Sequence, residues 1–144
     1  MKKTKSIYLL GALKNRDIVL IGERLRKEGF DVFEDWTCPG PEADSFLLEY
    51  YRIRGFSYKE ALNSYGARHV FEFDKKHIDR CNIGVMVMPC GKSGHLELGY
   101  MLGQGKPGYI LFDKEPERMD VMHNFSTDVF FDIEDLIKTL RSLK

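Results

Sequence analysis

The sequence lacks the features that would bind it to a nucleic acid, a membrane or an oxidising compartment. Lys plus Arg and Asp plus Glu number 22 each in 144 residues. That balance excludes a broad electrostatic appeal to nucleic acid or anionic lipid. No apolar run approaches the roughly 20 residues that span a bilayer; the longest useful one is Ile83 to Met88. The basic start, Met1 to Lys5, leads into a strand-length run too short for a signal-peptide core. The three cysteines, Cys38, Cys81 and Cys90, form no CxxC pair, so reduced thiols in a cytoplasm are expected. There is no internal repeat and no low-complexity segment. His69 and His77 stand outside the i, i+4 spacing of helical metal pairs, and no His/Cys/Asp motif completes a site. The expectation is a protein without metal or cofactor.

What is present reads as one α/β domain over residues 1–144. Apolar residues are 43% and charged residues 31%, and a chain of this size buries enough surface to need no disulfide. Continuous apolar runs at Ser6–Leu10, Phe30–Phe33, Ile83–Met88, Pro107–Phe112 and Asp128–Phe131 predict five strands. Helical spacing appears between them at Asn15–Glu28, His95–Gly105 and Ile133–Leu143. Gly29 follows the first helix where a left-handed residue is wanted. Glu42 to Arg80 is helical and aromatic, two helices divided near Arg54–Ser57, with Ser57 and Glu60 as a capping box. About 42–70 of this stretch is a helical insertion. The alternation predicts an open, doubly wound, parallel five-stranded sheet, flavodoxin-like, with helices on both faces. Ligands then bind beyond the carboxyl ends of the strands, where strand order reverses. That rule draws attention to Gly11, Asp35, Trp36 and the segment Pro89 to Glu97.

The Gly91-Lys92-Ser93 segment does not make a phosphate loop, because the position five before Gly91 is Met86. Gly91, Ser93 and Gly94 still let backbone N–H groups approach an anion at a helix start; a ligand-free Gly-rich turn is the alternative. Glu97 lies in the first turn of the following helix among apolar and small residues. Dipole compensation is its ordinary reading. A second carboxylate, Asp74, precedes the same strand, and two acids in one cleft are what glycosyl transfer needs.

Ile7-Tyr8-Leu9, Phe73-Asp74 with Ile78, and Ser93-Gly-His-Leu-Glu97-Leu-Gly-Tyr100 together resemble the nucleoside 2-deoxyribosyltransferase family, which includes the deoxynucleoside 5′-monophosphate N-glycosidases. The resemblance covers Ser6 to about Phe131. It implies Glu97 as nucleophile at C1′, Asp74 as the acid assisting the departing base, and Tyr8 as the group orienting the glutamate. It also implies that Asn124 reaches the 5′ end of a neighbouring subunit's sugar. The transferases carry an acid six positions before the nucleophile, where this chain has Gly91; Lys92 and Ser93 suit a phosphate better. His95 either touches that phosphate or caps the helix. Trp36 either stacks on the base or covers the core rim, and Asp35 is placed to hold a ribose hydroxyl. The expected partner is a small nucleoside or nucleotide, and the expected assembly a dimer or higher homo-oligomer joined through the aromatic segment 45–66. A noncatalytic nucleotide-binding module on the same fold is the competing class.

Overall fold

The computed structural model describes residues 3–143; Met1 and Lys2 of the basic start, and Lys144, lie outside the described residues. Five parallel strands form one sheet: β1 (Ser6–Leu10), β2 (Asp31–Phe33), β3 (Ile83–Val87), β4 (Gly108–Leu111) and β5 (Asp128–Phe130). Their order is β2-β1-β3-β4-β5. The chain steps from β1 outward to β2 and then returns past β1 to β3, so the reversal lies between β1 and β3.

Side chains along β1 alternate between two cores, as strand geometry requires. Ile7 and Leu9 enter a cluster with Val85, Tyr109 and Leu136, beneath α1 (Asp17–Lys27) and α6 (Ile133–Ser142). Tyr8 and Leu10 point the other way, into a cluster with Ile78, Met86 and Leu98. The helices over that second face are α4 (Tyr65–Arg80) and α5 (Lys92–Gly103). Because both sheet faces are covered, β1 and β3 are buried at every position, which is why they read as continuous apolar runs. Among the described residues no helix is long and apolar enough to cross a membrane.

Two boundaries differ from the sequence expectation. The helical stretch after Pro41 is three helices, not two: α2 (Ala43–Ile53), α3 (Tyr58–Leu62) and α4. Ser57 and Glu60 form the expected capping box, but Ser64 also caps a helix by accepting from the Ala67 N–H, and this second cap splits the run. Gly29 does take the left-handed conformation at φ 93°. Finally, α5 begins at Lys92 rather than His95, so Lys92, Ser93 and Gly94 form its first turn and not a loop.

Register sets α5 low on the sheet. Gly84 of β3 pairs with Gly108 of β4, making a notch two strands wide. A Cβ at Gly108 would stand 2.7 Å from Leu98 Cδ1, and one at Gly84 would stand 3.0 Å from Met101 Sδ. The helix therefore rests where side chains would hold it off, and its N-terminus meets the carboxyl ends of β1 and β3.

Candidate active site

Tyr8, the middle residue of β1, is fully buried. Its ring stacks on Phe33 at 5.3 Å, and Phe33 stacks in turn on His77 at 3.9 Å. The Tyr8 hydroxyl faces the Glu97 carboxyl. It is the one buried side-chain polar atom among the described residues that lacks a partner. Such an orphan costs about 1–3 kcal/mol unless something else meets it. Burial and the nearby Glu97 and Asp74 carboxylates push its pKa far up, so it remains a hydroxyl at any ordinary pH.

Glu97 comes from the second turn of α5 and Asp74 from the middle of α4; both are half-buried. Burial pushes the Asp74 carboxyl up to about 6, and the carboxylate of Asp44 adds to the shift. Burial likewise raises Glu97 to about 7, against the pull of the Tyr8 hydroxyl, with Asp74 and Asp44 adding repulsion. Neither has a cationic partner among the described residues. The helix N-terminus was expected to keep Glu97 ionised; desolvation and two neighbouring acids outweigh it. Groups this close titrate as a coupled set, sharing one proton over the range between the two values.

Two members of this site were missed in the sequence. Asp44 stands in the first turn of α2, thirty positions before Asp74, and nothing in its local pattern marks it. Cys90 follows β3; burial and then Glu97 push its thiol up to about 11, so it stays protonated. Its sulfur occupies the place a Cβ on Gly94 would need, which fixes glycine at that position. The small-residue run at 89–94 was the signal for this packing.

The remaining expected residues are placed as follows. Gly11 leaves β1 against Ile18, whose side chain a Cβ would meet. Gly91 is the residue before α5, and no side chain caps that helix; Lys92 and Ser93 are exposed beside its free N–H groups. Trp36 donates its indole N–H to Leu9 O at 2.7 Å and packs against both cores, which is the rim role. Asp35 is exposed in a short 3-10 turn at Asp35–Thr37. Asn124, in a second 3-10 turn at Val121–Phe125, turns its amide back on Val121 O at 2.9 Å. His95 bonds to Gly91 O at 2.8 Å and to His123 at 3.0 Å. The structure thus joins Tyr8, Asp74 and Glu97 into one cluster, and leaves Asp35 and Asn124 facing solvent.

Solved structures share this fold. A 2-deoxyribosyltransferase from the psychrotolerant bacterium Bacillus psychrosaccharolyticus superposes with a TM-score of 0.62 at 20% identity, covering 92% of this chain and 90% of that one. The CMP N-glycosidase BcmB of Clostridium botulinum superposes with a TM-score of 0.51 at 16% identity, covering 95% of this chain and 99% of that one. No family model and no curated protein matches the sequence.

Proposed function

We propose that this chain breaks or transfers the N-glycosidic bond of a nucleoside, deoxynucleoside or 5′-monophosphate. One observation carries the reading: two half-buried carboxylates without a cation, Glu97 and Asp74, meet beside the buried Tyr8 hydroxyl at the point where strand order reverses. The fold shared with a deoxyribosyltransferase and a nucleotide N-glycosidase supports the same chemistry.

In this reading the ionised Glu97 attacks C1′ as the bond to the base opens, and the bonding pair leaves on the base nitrogen. Glu97 has the higher of the two raised values, so the reactive form is the minor one in which the shared proton sits on Asp74, and Asp74 passes that proton to the base nitrogen. Asp74 then accepts a proton from water, or from the N–H of a second base, as that nucleophile attacks C1′ and the C1′–Glu97 ester bond breaks, returning its electron pair to the Glu97 carboxylate. The Tyr8 hydroxyl acts as a positioning group, turning Glu97 toward C1′ and holding its charge. The first turn of α5, with Lys92 and Ser93, offers N–H groups and positive potential to a 5′-phosphate.

The aromatic helices supply a subunit interface. Phe46, Tyr50, Ile53 and Tyr58 are exposed on α2 and α3, and Arg54 lies over Tyr50, Tyr51 and Phe56 at 4.9–5.6 Å from their ring centres. An apolar set of this kind fits a homo-oligomer, in which Asn124 reaches a neighbour's substrate. Incubation with deoxynucleosides and their monophosphates, followed by chromatography for free base, tests the activity. Base release that disappears in Glu97→Ala supports it; binding without release from any substrate leaves a noncatalytic binder.

A further inference from the structure

We infer that His95, His123 and Asp120 form a binding site for a divalent transition-metal cation of the zinc class. The three residues come from two places: His95 from the first turn of α5, and Asp120 and His123 from the 3-10 turn that precedes β5, Asp120 as its cap. One donor atom from each lies within 4.8 Å of the others. The separation of 25 residues or more between His95 and the other two hid the set from any local motif.

The orientations fit metal ligands. His95 Nδ1 faces the carbonyl of Gly91 at 2.8 Å, and a carbonyl only accepts, so Nδ1 carries the hydrogen. Neutral His95 therefore presents its lone pair at Nε2. A ligating histidine ordinarily fixes its tautomer in this way, through a backbone carbonyl or carboxylate on the other nitrogen. His95 Nε2 points at His123 Nε2, 3.0 Å away. Two imidazole nitrogens on a tetrahedral zinc ion stand about 3.3 Å apart, so a shift of a few tenths of an ångström makes room. Asp120 Oδ1 is held by the Met122 N–H at 2.9 Å, and Oδ2 is left 3.8 Å from His123 Nε2. Phe112 covers the outer side of the His123 ring at 5.9 Å. Two imidazoles and one carboxylate suit zinc or cobalt, and three protein ligands leave a coordination position for water or an anion.

In the metal-free chain a single N–H between the two rings serves the same geometry. The cation replaces it and clamps the turn carrying Asn124 to α5, two residues from Glu97. This inference does not depend on the glycosidic reading.

The test uses the full chain without a histidine tag, stripped with a chelator and titrated with Zn2+ against a chromophoric competitor. One zinc per chain is expected, and Co2+ should give the intense visible absorption of a tetrahedral site. His95→Ala and His123→Ala should each weaken affinity by about tenfold or more. Asp120→Asn retains the oxygen that caps Met122, so it tests the carboxylate without disturbing the turn, and should also weaken binding. Circular dichroism of the stripped variants checks that they fold. Cys38→Ser should leave binding intact. Absence of stoichiometric binding, or binding retained in the His95→Ala, His123→Ala double variant, would overturn the inference and leave a histidine–histidine hydrogen bond.

Discussion

Glu34 and Glu97 are both carboxylates held away from solvent at the ends of the sheet, and the chain treats them in opposite ways. Glu34, after β2, is 6% exposed and meets the guanidinium of Arg26 through both nitrogens, one at 2.8 Å. The same Arg26 donates to Val32 O at 3.0 Å, so the pair closes α1 onto β2. Glu97 has no such partner; it faces a second acid and the Tyr8 hydroxyl, and no cation. A buried charge is ordinarily neutralised by pairing, and one left unpaired beside another acid is a cost to folding that chemistry can use. The paired glutamate is structural. The unpaired one marks the proposed reactive site.

The sharpest way to break this contrast is to remove each glutamate's function in turn. Glu97→Gln should lower base release by about a thousandfold or more, since the side chain proposed to capture C1′ is lost. Steady-state turnover measures it, and near-wild-type activity would make Glu97 another packing residue. Arg26→Ala should leave kcat within about twofold but destabilise the fold by about 2–3 kcal/mol, because Glu34 is stranded without its cation. Urea unfolding measures that.

Stability against pH separates the two environments further. Glu97 and Asp74 ionise less readily in the folded chain than in the unfolded one, whose carboxyls titrate near pH 4. The unfolded chain therefore loses these protons first, and stability falls as pH rises from about 4 to about 7. Glu97→Gln should flatten that fall and be more stable than wild type by about 2 kcal/mol at pH 8. Thermal unfolding across the range checks it; an unchanged slope would mean that Glu97 is not burdened. The smallest expected effect is at Ser93. Ser93→Ala should reduce any preference in kcat/KM for a monophosphate over its nucleoside by about tenfold at most.

Sequence reading located what depends on short-range pattern. The strands were legible because burial on both faces leaves no alternation to confuse them, and Glu97, Asp74 and Tyr8 lay where the strand-end rule and the family resemblance directed attention. The start of α5 was read three residues late, because Lys92, Ser93 and Gly94 have loop-like composition and no side chain caps them. The break at Ser64 was hidden inside a continuous helical pattern. Asp44 and the His95–His123 pair were invisible for another reason: their roles come only from the packing of α2 and of a 3-10 turn against the sheet's end. The ionisation of Glu97 was misjudged because a first-turn dipole is local, whereas the opposing acids arrive from two other helices.

The central claim is that Glu97 bonds to the sugar. Peptide mass spectrometry of the chain, quenched with acid during turnover of a substrate shown to release base, tests it most directly. A glycosyl ester on the peptide containing Glu97, absent from Glu97→Gln, is the predicted result. A sugar adduct on another residue, or base release by Glu97→Gln at the wild-type rate, would contradict it.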